Sequence, residues 1–193
     1  SRRQRQMCIR DSYRTVFNAT GGGITLSGGE VLQQPQFAAR LLREAKALGV
    51  HTTIDTSGFL GRNVTDEMLA DIDLVLLDVK SGDEATYERI TSRQLAPTIE
   101  FGDRLAASGT EIWGRFVLVP GYTDAFDNVE RVADIMARWS TLSRAEVLPF
   151  HQMGADKWKR LGRKYQLEGV EPPSLELLER VRGQFRERGL TVY

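Results

Sequence analysis

Residues 72–79 read IDLVLLDV. A run this apolar leaves no face for solvent. It is the signature of a strand covered on both sides, as in a parallel sheet flanked by helices. The flanking sequence repeats the same alternation. β-type runs are predicted at 24–27, 50–56, 111–119 and 145–150. A helix is predicted from Pro35, with Phe37, Leu41, Ala45 and Leu48 on one face and a stop at Gly49. Further helices are predicted at 66–70, 85–90, 97–107, 128–139 and 174–188, the last with Leu175, Leu178, Val181 and Phe185 inward. Leu190–Tyr193 suggests a short final strand. Strand–helix units joined by short connections define an α/β domain with a parallel sheet. Five strands are too few for a closed eight-stranded barrel.

Lys plus Arg and Asp plus Glu both number 26, so the formal net charge is zero. That balance argues against a broad nucleic-acid footprint, and no apolar run is long enough to span a membrane. The first residues show no apolar h-region, and the single cysteine, Cys8, allows no internal disulfide. These features fit a cytoplasmic protein. Residues 1–12, SRRQRQMCIRDS, share no periodicity or turn logic with the rest of the chain. They read as a non-native segment, leaving 13–193 as one domain.

Each expected strand ends in polar residues. The first runs GGGITLSGGE through Ser27, Gly28, Gly29 and Glu30. The others end at Asp55-Thr56-Ser57, at Asp78-Val79-Lys80, at Pro120-Gly121 with Arg115 upstream, and at His151. In a parallel α/β array these ends converge on one rim. Glycines allow a ligand to approach the backbone closely, and an apolar strand makes an unpaired carboxylate such as Asp78 costly. Each residue also has a plain structural explanation. Asp55 can begin an Asx turn, Asp78 and Lys80 can form an ion pair on one strand face, Arg115 can brace the rim, and His151 can be a core histidine. Taken together, the set suits a zwitterionic ligand. Glu30 and the glycines suit an ammonium, Lys80 and Arg115 a carboxylate, and Asp55 with Asp78 a hard cation.

From residue 13 onward the chain resembles the glycyl-radical-enzyme activases, radical S-adenosylmethionine (SAM) enzymes, and among them the pyruvate formate-lyase activating family. The resemblance rests on FNATGGGITLSGGE, HTTIDTSGF, DLVLLDVK, IWGRFVLVPGYTD, VLPFHQMGADKW and LGRKYQLEGVEPP. It implies a partial (β/α)6 TIM-like barrel of the radical SAM type, here lacking its first β/α unit, with SAM and a 4Fe–4S cluster as cofactors. It also implies hydrogen abstraction from a glycine of a partner lyase, and a reducing electron donor such as flavodoxin. By the same resemblance Gly28, Gly29 and Glu30 hold the methionyl amino group. Asp78, Val79 and Lys80 contact the cofactor, with Lys80 near its carboxylate. His151 meets the adenosyl side, and Arg115 lines the cofactor or peptide face. Asp55, Thr56, Asp78 and the Leu76 carbonyl match a monovalent-cation site.

One departure is large. The family's cluster is held by C-x3-C-x2-C, and this sequence contains only Cys8; one thiolate cannot hold such a cluster. The expectation is a chain inactive as it stands. The alternatives are a non-catalytic domain that binds SAM or docks on a lyase, and an activase of a different glycyl radical enzyme. A metal-dependent aldolase on a similar barrel would need more ligands than His51 and His151 supply.

Overall fold

The computed structural model describes residues 17, 20–154, 158, 160, 162 and 164–193. Residues 1–12 with Cys8, the expected start at Tyr13, and positions 18–19, 155–157, 161 and 163 of the quoted segments lie outside the described residues.

Five strands form one parallel sheet in chain order: β1 (Gly23–Leu26), β2 (His51–Thr56), β3 (Leu74–Asp78), β4 (Glu111–Leu118) and β5 (Leu142–Pro149). Helices α1 (Pro35–Ala47), α2 (Asp66–Ala70), α3 (Glu84–Thr91), α4 (Ala96–Ser108) and α5 (Phe126–Ala137) lie in the connections, and α6 (Leu175–Arg186) comes after β5. Sequential parallel pairing means that every crossover has the same hand, so the helices collect on one side. Among the described residues β1 does not pair back to β5. The sheet is the open wall of an incomplete barrel, in keeping with the strand number.

The alternation along β4 shows how the wall divides its two faces. Ile112, Phe116 and Leu118 are buried against helices, whereas Glu111, Trp113, Arg115 and Val117 are only half-buried on the inner face. The helix-side core gathers Leu105, Ile112, Phe116, Val132, Met136, Val181 and Phe185, with the Phe116 and Phe185 rings 6.0 Å apart. Local signals start the helices. Thr65, Asp83 and Ser174 accept from the backbone N–H three residues on, at Met68, Thr86 and Leu177, and α1 begins with Pro35. These are the capping and N1 preferences at work.

Two expected core faces need correction. The buried stripe of α1 is Ala38, Leu42 and Ala45; Ala45 is as expected, but Ala38 and Leu42 take the places of Phe37 and Leu41, and Phe37 is 44% exposed. Leu178, Val181 and Phe185 of α6 do point inward, but Leu175 is 82% exposed because it directly follows the capping Ser174, before the helix reaches the sheet. The final segment, expected as a short strand, makes an isolated parallel bridge to β5 between Ala145 and Val192. Arg144 stacks between the rings of Trp113 and Tyr193, 4.6 and 3.9 Å from their centroids.

The rim opposite the strand C-termini is tied by Asp73. Its carboxylate accepts from the Thr52 N–H at 2.9 Å and the Thr52 hydroxyl at 3.0 Å, and it pairs with Lys46. Burial pushes the Asp73 carboxyl up, but the hydrogen bonds from Lys46 and Thr52 outweigh it and hold the group below its ordinary value of 3.8. A depressed carboxyl contributes stability that is complete above its unfolded pKa and is lost as pH falls through the folded one. Asp73→Asn is therefore expected to cost about 1–2 kcal/mol at neutral pH, a difference that shrinks below about pH 4. Urea unfolding across that range reads the effect; a pH-independent difference would contradict it.

Candidate functional site: a charged cleft at the strand ends

At the C-terminal ends of β1 to β4 lies a cleft of about 400 Å³ lined by Ser27, Gly28, Gly29, Glu30, Asp55, Thr56, Ser57, Asp78, Lys80 and Arg115. The chain reaches it from β1 through two residues with positive φ, Gly28 at 100° and Gly29 at 58°. Side chains are disfavoured in that backbone region. A Cβ at either position would meet nothing within 4 Å, so the space beside this backbone is open to a ligand.

Glu30 ends the turn, and four bonds fix it. Oε1 accepts from the Thr56 hydroxyl at 2.7 Å and the Leu32 N–H at 3.1 Å. Oε2 accepts from the Ser57 N–H at 3.1 Å and the Ser57 hydroxyl at 2.8 Å. A carboxylate offers about four acceptor positions, so Glu30 is saturated and joins the end of β1 to the end of β2 as a stationary negative charge.

Arg115 joins the next three strands. In register it stands opposite Asp78. Its Nε donates to Asp78 Oδ1 at 2.9 Å, and an Nη donates to Asp55 Oδ1. Asp78 Oδ2 accepts from Lys80 Nζ at 2.6 Å, and Asp55 Oδ2 accepts from the Ser27 hydroxyl at 3.3 Å. Burial works against the charge on Arg115, but Asp78 and Asp55 outweigh it and raise the guanidinium's pKa. Asp78 thus has the partners its apolar strand requires, and Asp55 spends its carboxylate on Arg115 and Ser27 rather than on an Asx turn.

The remaining expected residues are distributed differently. Val79 is fully buried, and its N–H donates to the Arg115 carbonyl. Leu76 is half-buried in β3, in register with Asp55 and Trp113, and does not line the cleft. Thr56 is buried with its hydroxyl committed to Glu30 and to the Gly58 N–H. The guanidinium of Arg115 stands between the carboxylates of Asp55 and Asp78, where a cation was expected. His151 follows β5 at the same end of the sheet but lines a separate cavity of about 440 Å³, with Tyr122, Phe150, Trp158, Tyr165 and Leu167. His51 stands exposed at the start of β2, at the opposite rim.

Sequence reasoning passed over Asn128. Its Oδ1 accepts from the Ser81 hydroxyl and the Gly82 and Asp83 N–H groups, and its Nδ2 donates to the Thr123 carbonyl. It ties the loop after Lys80 to the loop after β4. An asparagine on an apolar helix face was the available signal. Among the described residues no group of three or more His, Cys, Asp or Glu is arranged to hold a metal ion. The one cysteine of the sequence lies outside them, so these residues do not fit a 4Fe–4S cluster.

An open parallel wall with a glycine-lined ionic cleft at its C-terminal rim is the half-barrel class of α/β protein. Comparison with known proteins gives the family. The model of the radical SAM superfamily matches residues 9–134. The pyruvate formate-lyase 1-activating enzyme of Escherichia coli K12 is 38% identical over 180 residues, 92% of this chain and 73% of that protein. The pyruvate formate-lyase-activating enzyme of Staphylococcus epidermidis is 38% identical over 173 residues, 86% of this chain and 69% of that protein. A crystallised domain of such an enzyme from Bacteroides vulgatus shares the fold, with a TM-score of 0.73 and 22% identity over 89% of this chain and 98% of that one. The chain belongs to the radical SAM superfamily and, within it, to the pyruvate formate-lyase-activating enzymes. The activity of this family is glycyl-radical activation by cleavage of SAM.

Removing the Arg115 guanidinium leaves Asp55 with no cation and Asp78 with Lys80 alone, in a mostly buried site. Arg115→Met is expected to cost about 2–4 kcal/mol. Denaturant unfolding of variant and parent measures it, and equal stability would contradict the bridge.

Proposed function

We propose that the cleft binds the methionyl end of SAM on behalf of the family's radical chemistry. The observation that supports this most is the charge pattern. The lining holds three carboxylates, Glu30, Asp55 and Asp78, against two cations, Lys80 and Arg115. One excess negative charge beside open backbone complements a ligand with two positive groups, a sulfonium and an ammonium, and one carboxylate.

Each residue then has a role set by its surroundings. Gly28 and Gly29 leave room for close approach, and Glu30 supplies an immobile negative charge to the ammonium. Lys80 has three donors and spends one on Asp78, so it retains donors for the ligand carboxylate. Arg115 holds Asp55 and Asp78 apart and pins the strand ends that form the cleft. The lining of the second cavity, with His151 among aromatic rings, suits the flat adenosyl portion. Asp55, Thr56, Asp78 and the Leu76 carbonyl are proposed as a monovalent-cation site once a ligand carboxylate competes for Arg115. Bound SAM supplies the sulfonium bond whose cleavage yields the hydrogen-abstracting radical.

The partner in this reading is pyruvate formate-lyase, as the relatives' names indicate, with a reducing donor such as flavodoxin, in the cytoplasm. Zero net charge supports a role without nucleic acid, and no helix among the described residues is long and apolar enough to cross a membrane. The single cysteine favours a second reading for this polypeptide, in which it binds cofactor or lyase without performing the chemistry.

Isothermal titration tests the binding claim. SAM is expected to bind more tightly than S-adenosylhomocysteine, which lacks the sulfonium charge, and added salt should narrow the gap. Glu30→Gln and Lys80→Met should each weaken SAM by roughly tenfold, the scale of one lost charged contact. Equal affinity for the two ligands, or unchanged binding by both variants, would contradict the assignment. Anaerobic reconstitution of the 193-residue chain with iron and sulfide is expected to give no 4Fe–4S absorbance or EPR signal, and a signal would refute that expectation.

A further inference from the structure

We infer that Thr98 and Tyr87, two buried residues outside the cleft, are positioning residues for its ammonium corner, acting through a chain of hydroxyl groups that ends on Glu30. This rests on the cleft assignment proposed above. Thr98 lies in the first turn of α4 and is 0% exposed, and Tyr87 of α3 is 1% exposed. Neither lines the cleft. The Thr98 hydroxyl donates to the Ser57 carbonyl at 2.8 Å, and the N–H and hydroxyl of the same Ser57 donate to Glu30 Oε2. Ser57 thus takes a bond from the helix layer on one side and gives two to the cleft carboxylate on the other.

Hydroxyl chemistry gives the chain a direction. Thr98 has one hydroxyl proton, and the Ser57 carbonyl can only accept, so that proton points to Ser57. The contact between the Thr98 hydroxyl and the Tyr87 hydroxyl, 3.0 Å, must then run from tyrosine to threonine. Every proton from Tyr87 to Glu30 is thereby assigned, and the chain requires Tyr87 to stay protonated. Burial raises the Tyr87 pKa and keeps it so.

Packing confines the same loop. Gly58 comes after Ser57 with φ of 75°, and a Cβ there would stand 2.8 Å from the Leu77 side chain and 3.4 Å from the Thr98 backbone. The turn after β2 is pressed between β3 and α4, and its Gly58 N–H donates to the Thr56 hydroxyl, which in turn donates to Glu30 Oε1. Both oxygens of Glu30 are therefore oriented from the turn that Thr98 anchors. Among the described residues no other donor reaches the Ser57 carbonyl, so loss of the Thr98 hydroxyl leaves that carbonyl unpaired and loosens the turn that holds Glu30 Oε2.

The test is a double-mutant cycle on the full chain with Thr98→Val, which keeps the shape and removes the hydroxyl, and Glu30→Gln, read by titration with SAM. Thr98→Val is expected to weaken SAM binding by roughly fivefold to tenfold. Thr98→Ser should restore it, and Tyr87→Phe should show a smaller loss. In the Glu30→Gln background the further loss from Thr98→Val should fall below about twofold, because the group being positioned is gone. Losses that multiply in the double variant, or a Thr98→Val protein that binds like the parent, would overturn the positioning role. Urea unfolding of the same four proteins reads the chain without ligand, and additive effects on stability would also overturn it. Coupled stabilities in a parent chain that binds no SAM would refute the cleft assignment, and with it the functional role of the relay.

Discussion

The guanidinium of Arg115 is the constraint on which the rim depends. Three adjacent parallel strands bring Asp55, Asp78 and Arg115 to the same level, and without a cation the two carboxylates would repel in a poorly hydrated position. One planar donor set satisfies both through different nitrogens, which a lysine cannot do with the same directionality. Glu30 makes the corresponding link between β1 and β2, with no cation, by accepting four hydrogen bonds. The cleft exists because these two knots fix four strand ends that the open sheet would otherwise leave to their loops.

Much of this was legible in the chain. The run at 72–79 required a parallel sheet, and the short helix expected at 66–70 is found at Asp66–Ala70. The rim residues Glu30, Asp55, Asp78, Lys80 and Arg115 do meet in one cleft. Periodicity was less reliable at helix ends. At Phe37 and Leu175 the face was misplaced within the first turn, where Ala38 and Leu178 are the residues buried instead.

The site was legible in membership and less so in pairing. Strand alternation predicts that Asp78 and Lys80 share a face, but which carboxylate Arg115 takes depends on sheet register, and register aligns Arg115 with Asp78 while its length reaches Asp55. His151 illustrates the limit of reading a rim from strand ends alone, since the last strand delivers it to a cavity with its own aromatic lining. Thr98 and Tyr87 carried no sequence signal, because a buried hydroxyl in a helix resembles ordinary core until its partner is seen.

A crystal structure of the chain grown with SAM would show where the methionyl group binds. Density for the methionyl group is expected in the cleft, its ammonium beside Gly28, Gly29 and Glu30 and its carboxylate at Lys80, with Glu30 still bonded to Thr56 and Ser57. Cofactor density elsewhere, or a cleft that stays empty at saturating SAM with Arg115 still bridging Asp55 and Asp78, would contradict it.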